Sequence, residues 1–420
     1  MSNQLLILGN GFDLHCGLKS SYKDFFRYTI LDTIGARFGL VQLKAGTYGF
    51  WEHLLLEYYK KFGEEDYNWC DIERIIKNVL SGILTDDPSN DFNIRSEILS
   101  SVRCNLDLYQ QKNYGADESI KKYILIYCVN LLEQATVNFI TDNEMLEYLA
   151  VKLLTELKNF ERRFCKYIKD CIFDKENNIN EPYIVNAVNL LAYITEFSTP
   201  NFEDIDDMME IKEEYYEEEM STNVLQHVMK EKKVLMQEFN KLRHTNILSF
   251  NYTAIFDILG VDSPCIYSNV HGKLCNKQCS EDCVSSSVIF GIDDKLIQLQ
   301  KTNELRLFSK TYRKMSDTST PISILPKNDG RPIEIKFYGH SLSEADYSYF
   351  QSIFDFYNLY DNYNVSLLFY YSKGYEQNDE IYRLINSYGK TLENKDRGKN
   401  LIHKLLLENR LKIVEVPENI

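Results

Sequence analysis

A basic excess is the first thing this 420-residue chain lacks: 47 Lys and Arg stand against 62 Asp and Glu, a formal net charge of −15. Such a surface repels a phosphate backbone, so extended nucleic-acid binding is disfavoured. A small anion held by backbone N–H groups needs no net positive charge and stays open. No basic segment precedes the first apolar run, Leu5 to Leu8, as a secretory leader would require, and no stretch is long and apolar enough for a membrane helix. The ten cysteines form no regular disulfide framework, so mostly reduced thiols, a cytoplasmic location and no membrane partner are expected. Internal repeats and flexible linkers are missing as well.

What is present is a globular composition, 44% hydrophobic, with 30 Tyr and 23 Phe. The run Gln4-Leu5-Leu6-Ile7-Leu8 stops at Gly9 and predicts a strand buried on both faces, as in a parallel sheet. A helix is expected near Ser20-Ser21-Tyr22-Lys23-Asp24, where hydroxyl side chains can cap it. From about Gly49 to Leu242, apolar residues recur at three- and four-residue spacing, the sign of amphipathic helices. The acidic run Glu213 to Glu219 within this block is read as a solvated face. Strand-like segments return at Ile247–Phe250, Cys265–Val270, Ser287–Phe290, Ile333–Tyr338, Val365–Tyr370 and Leu411–Val414. The expected fold is α/β, a Rossmann-like and mostly parallel sheet with a large α-helical insertion. Residues 1–48 and 243–420 are assigned to the sheet domain and 49–242 to the insertion, which covers the sheet mouth or mediates self-association into a homo-oligomer.

The segment Gly9-Asn10-Gly11-Phe12-Asp13 directly follows the first strand. Glycines there let the backbone turn tightly and approach a ligand phosphate, and a following helix would add its N–H groups. The third glycine of the usual dinucleotide fingerprint is missing, since Leu14 stands in its place and Gly17 comes three residues later. A short Gly-x-Gly fits a simple tight turn equally well. Asp13 either caps a helix or binds a ribose hydroxyl.

Further along, several islands occur in a fixed order: Leu6-Ile7-Leu8-Gly9-Asn10-Gly11-Phe12-Asp13-Leu14 with Gly17-Leu18, Tyr22 and Phe25; then Trp69-Cys70-Asp71-Ile72-Glu73; Phe250-Asn251-Tyr252-Thr253; Val270-His271-Gly272; Phe290-Gly291-Ile292-Asp293; and Tyr338-Gly339-His340-Ser341-Leu342 leading to Asp346. With these islands the chain resembles the AbiH abortive-infection family, which implies a part in defence against bacteriophage. A more distant similarity links it to sirtuin-like domains. Their glycine loop would correspond to Gly9, Gly11 and Gly17, their Asn after a later strand to Asn251, and their His-Gly pair to His271-Gly272. Gly339-His340-Ser341-Leu342 is similar to the Gly-x-Ser-Leu segment of bacterial sirtuin-like defence effectors, which cleave NAD. The chain departs from that pattern in having Asp13 in place of a serine, Lys19 in place of a proline, and Thr253 where Asn-x-Asp carries a carboxylate.

The resemblance implies NAD as substrate. Gly9, Asn10, Gly11, Phe12, Asp13, Gly17, Gly339, His340 and Ser341 would then bind the nucleotide. Asn251 would hold the ribose and orient water, and His271 would accept a proton or bind a ribose hydroxyl. Glu73 is an additional acid or lid candidate. Each has a plainer reading: a turn residue for Asn251, a strand-end histidine bonded to backbone for His271, packing for His340, a helix cap for Glu73. Cys275, Cys279 and Cys283 recur every fourth residue after His271, the right number of N and S ligands for a structural zinc. Closely spaced cysteine pairs are absent, and His271 cannot be both ligand and base, so a polar loop is preferred to zinc. Three functions remain in competition: an NAD-consuming effector awaiting a phage-derived trigger or a second defence protein, a nucleotide-binding sensor or scaffold without turnover, and a nucleic-acid hydrolase.

Overall fold

The structure, a computed structural model, describes residues 3–29, 48–62, 69–86, 89–104, 119–173, 180–195, 245–259, 263, 265–274, 288–292, 304–315, 323–343 and 346–417. Two compact units divide the chain: Met1–Leu18 with Cys171–Ser285 and Thr320–Ile420 form the first, Lys19–Asp170 with Ser286–Ser319 the second.

The first unit is built on six strands: β1 (Asn3–Leu8), β2 (Thr245–Ser249), β3 (Tyr267–Asn269), β4 (Ile333–Tyr338), β5 (Val365–Ser372) and β6 (Leu411–Val416). They pair in the order β3-β2-β1-β4-β5-β6, every pair parallel. The short apolar runs dictate this: Leu5, Leu6, Ile7 and Leu8 are all buried, as a strand covered on both faces requires. The chain runs outward from β1 through β2 to β3, then returns to lay β4, β5 and β6 on the other side. The sheet therefore has its switch point between β1 and β4, where doubly wound sheets bind ligands beyond the carboxyl ends of their strands. This is a Rossmann-like α/β fold.

Thirteen α-helices are seen among the described residues. The first unit carries α1 (Gly11–His15), α8 (Glu181–Thr195), α9 (Ile255–Leu259), α11 (Tyr347–Phe356), α12 (Asn378–Thr391) and α13 (Lys395–Leu407). Phe350, Phe354, Leu384 and Leu401 from these helices are buried with Ile335, Phe337, Leu367 and Phe369 of the sheet. Helix α8 lies against the strands through polar contacts too: the buried Lys336 ammonium of β4 donates to the Ile194 carbonyl at 2.9 Å. A charge in the middle of an apolar strand is tolerated because it meets that carbonyl and Glu334, 3.3 Å away.

The second unit holds α2 (Tyr22–Thr29), α3 (Phe50–Phe62), α4 (Trp69–Leu84), α5 (Arg95–Cys104), α6 (Ser119–Glu133), most of α7 (Asp142–Ile172) and α10 (Lys310–Met315). The expected hydroxyl cap of α2 is present, with the Asp24 amide donating to Ser21 Oγ at 3.0 Å. An aromatic cluster of Tyr22, Phe25, Phe160, Phe164 and Phe290 fills its centre.

One expected strand is not formed. Val288, Ile289 and Phe290 have no ladder partner among the described residues, and side chains take the backbone of Phe290 instead. The Phe290 amide donates to Glu161 Oε1 at 2.7 Å and its carbonyl accepts from Arg313 at 2.9 Å. Burial made this apolar run resemble a strand, yet it is an extended plug in a helical unit. Ser287, Asp293, Cys275, Cys279, Cys283 and the acidic run Glu213 to Glu219 lie outside the described residues. No helix among the described residues is long and apolar enough to cross a membrane.

Candidate functional site at the carboxyl end of the sheet

Apart from Glu73, the proposed site residues belong to the first unit, and all follow β1, β2, β3 or β4. The glycine loop after β1 meets the loop after β4 backbone to backbone. Gly9 donates to the Tyr338 carbonyl at 2.9 Å, Gly11 to the Gly339 carbonyl at 2.8 Å, and Phe12 to the Gly9 carbonyl at 2.9 Å. A Cβ on Gly9 would sit 2.3 Å from His340 Cα, and one on Gly11 2.6 Å from Gly339 Cα. Gly339 has φ of +67° and faces Phe12 N just as tightly, with 2.4 Å for an added Cβ. Close loop packing at the switch point thus accounts for Gly9, Gly11 and Gly339, and the amides of Gly9, Gly11 and Phe12 are donated within the protein. Gly17 has a different task. With φ of +88° and open space around it, it ends α1, while Leu18 donates back to the Asp13 carbonyl at 2.9 Å. Asn10 is half-buried beside the loop, and Ser341 is exposed.

Asp13 is buried, and both carboxylate oxygens are engaged. Tyr183 of α8 donates its hydroxyl to Oδ1 at 2.8 Å, and Thr253 donates to Oδ2 at 2.6 Å. Burial pushes the carboxyl pKa up to about 6, against the lowering effect of these two hydroxyls. Asp13 therefore ties α1, the loop after β2 and α8 into one assembly.

The loops after β2 and β3 are stitched together by Asn269, whose Nδ2 donates to the carbonyls of Asn251 at 2.8 Å and Thr253 at 2.9 Å. Asn251 is buried and its amide donates to Ser249 Oγ at 3.2 Å. The side-chain oxygens Oδ1 of Asn251 and of Asn269 have no hydrogen-bond partner among the described residues. A buried acceptor left in this state costs about 1–3 kcal/mol, so a donor from outside the protein would gain by binding there. Phe250 and Tyr252, the neighbours of Asn251, both lie against the His271 ring, with centroids 5.4 and 6.4 Å away. Asn251 and His271 are thus brought into one neighbourhood.

His271 and His340 share a carboxylate that sequence reasoning did not place in the site. Asp346 Oδ1 is 3.1 Å from His271 Nε2, and Asp346 Oδ2 is 3.5 Å from His340 Nε2, all three residues being buried. Phe250 packs edge-on against His340 at 4.4 Å. His340 Nδ1 accepts the Leu342 amide at 2.9 Å, which puts that ring's proton on Nε2, facing Asp346. Leu342 takes a left-handed φ of +53° in the turn that carries this amide. A neutral imidazole has one lone-pair nitrogen, so His340 cannot also offer Nε2 to a metal. Two histidines thus flank one carboxylate here, and no metal-binding group of three such residues occurs among the described residues.

A third polar cluster was not anticipated. Ser372 Oγ at the end of β5 lies 2.9 Å from His15 Nδ1 and 2.6 Å from the Tyr338 hydroxyl. Burial lowers the His15 pKa and raises that of Tyr338 to about 12, so both are neutral near pH 7. Of the residues missed, Asp346 alone carried a signal, as the end of the Tyr338–Leu342 island. A single serine, histidine or asparagine at a strand or helix end has no pattern to set it apart. Glu73 lies in the second unit, where it pairs with the buried Lys310 at 2.7 Å.

No curated protein and no solved structure matches the chain. A family model described as bacteriophage abortive infection AbiH matches residues 5–371, most of the chain. The chain therefore belongs to the AbiH family, and its role is abortive-infection defence against bacteriophage.

Proposed function

We propose that this AbiH protein is an NAD-consuming effector that hydrolyses the bond between nicotinamide and ribose. The observation that carries this reading is the buried Oδ1 of Asn251, without a hydrogen-bond partner among the described residues, in the same neighbourhood as the His271–Asp346 pair. A ribose hydroxyl or an attacking water is the kind of donor that oxygen would accept. When the C–N bond breaks, its electron pair leaves with nicotinamide and the anomeric carbon gains oxocarbenium character. Water adds to that carbon and yields its proton to His271. Asp346 holds the His271 ring in one orientation and stabilises it when protonated. Thus NAD and water become ADP-ribose, nicotinamide and a proton. A phage-derived trigger, a second defence protein or self-association into a homo-oligomer would control the onset.

Purified protein incubated with NAD should release nicotinamide and ADP-ribose, followed by chromatography. Asn251→Ala and His271→Ala should each cut release by about 100-fold or more. If NAD is stable with purified protein and also in infected cells carrying it, hydrolysis is refuted. One observation favours the second reading, a nucleotide sensor without turnover. Thr253 stands where a catalytic carboxylate would be, and its hydroxyl is spent on Asp13 at 2.6 Å. That reading predicts nucleotide binding with no products.

A further inference from the structure

We propose that Ser372, His15 and Tyr338 form a second nucleotide subsite, which takes the phosphorylated adenosine half of a dinucleotide. The inference rests on the nucleotide reading above and adds a specificity to it. Three elements converge here from distant parts of the chain: α1 supplies His15, β4 supplies Tyr338, and β5 supplies Ser372. The cluster lies at the carboxyl ends of β4 and β5, on the opposite side of the switch point from Asn251 and His271. Sheets wound in this order divide into two mononucleotide-binding halves; the Ser372 cluster lies beyond β4 and β5 of one half, and Asn251 and His271 follow β2 and β3 of the other.

The polarity of the cluster suits an anionic sugar phosphate. Ser372 Oγ hydrogen-bonds both the Tyr338 hydroxyl and His15 Nδ1, and either hydroxyl can be the donor between serine and tyrosine. In the tautomer where the serine hydroxyl donates to His15 Nδ1, the ring's proton stands on Nε2, as a donor for a phosphate or ribose oxygen. His15 and Ser372 are half-buried, so they are accessible yet fixed in place, and Lys373 follows as an exposed cation. From β2, which leads to Asn251, to β5, which ends in Ser372, there are three interstrand spacings, about 14 Å in all. A mononucleotide cannot touch both clusters, whereas an extended dinucleotide can.

The test is calorimetric titration of the full-length protein with NAD, AMP and nicotinamide mononucleotide, beside Ser372→Ala and His15→Gln. A thermal melt of each variant confirms folding, and Tyr338→Phe serves as a third variant that keeps the aromatic packing. We expect wild-type protein to bind NAD more tightly than either mononucleotide. The variants should weaken NAD and AMP by about tenfold or more and leave nicotinamide mononucleotide unchanged. NAD binding that all three variants retain in full would overturn the subsite while leaving the NAD reading intact. Equal weakening of both mononucleotides would overturn it too, because the cluster would then not distinguish the halves. If wild-type protein binds none of the three ligands, both the subsite and the nucleotide reading fall.

Discussion

Gly11 donates its amide to the carbonyl of Gly339 at 2.8 Å, and neither residue has space for a side chain. The loops after β1 and β4 therefore touch at the switch point of the sheet, and their glycines serve that contact. Gly339→Ala combines a left-handed φ with a backbone clash at Phe12 N, so it should lower unfolding stability by about 3 kcal/mol or more. Gly17→Ala keeps an unfavourable φ but meets no neighbour and should lose only about 1 kcal/mol. Chemical denaturation of the two variants checks the difference; similar losses would show that loop packing is not what requires Gly339.

Asp13 predicts a pH dependence. Its folded pKa of about 6 lies above the ordinary 3.8, so the neutral form is preferred in the folded state. The stability this contributes is fully present below the ordinary value and is lost as pH rises through about 6. The span is on the order of 3 kcal/mol. Asp13→Asn keeps an acceptor for Tyr183 and cannot ionise. Wild-type stability minus that of the variant should therefore fall between pH 4 and pH 7; a flat difference would contradict the raised pKa.

Asn251 separates folding from function. No group among the described residues loses a bond at its Oδ1, so Asn251→Ala should change stability by less than about 1 kcal/mol while, on the proposed hydrolase reading, cutting NAD turnover by about 100-fold or more. A large drop in melting temperature would instead place Asn251 in the structural framework.

On the proposed hydrolase reading, Asp346 acts through His271, 3.1 Å away. Asp346→Asn should lower kcat for NAD by roughly 100-fold or more with little change in KM, because the ring loses its orienting carboxylate. In His271→Ala the same change should have almost no further effect. Additive losses in the double variant would show that the two residues act independently.

In the second unit, Glu161 is buried and grips Arg313 through both guanidinium nitrogens at 2.6 and 2.7 Å. Arg313→Ala leaves that carboxylate uncompensated and should destabilise the protein by about 3–5 kcal/mol. Calorimetric melting measures it, and a loss under 1 kcal/mol would mean that water replaces the guanidinium.

Short apolar runs bounded by polar turns determined β1, β2, β4 and β5 locally, because a strand buried on both faces has little freedom of composition, whereas the edge strand β6 was legible only from its short Leu411–Val414 run. The amphipathic spacing of the helical block and the Ser21 cap were local too, as were the ordered motif islands that mark the family. Where local pattern failed, as at Val288–Phe290, burial looked the same whether the partner was a strand or a side chain. Only the tertiary structure decided that Gly9, Gly11 and Gly339 pack against one another, since that is a relation between loops more than 300 residues apart. It likewise decided that Asp13 is shared by Tyr183 and Thr253, that Asp346 joins two histidines, and that His15 meets Ser372. Strand order brings such residues together, and strand order follows from how whole faces are buried, which no local spacing encodes.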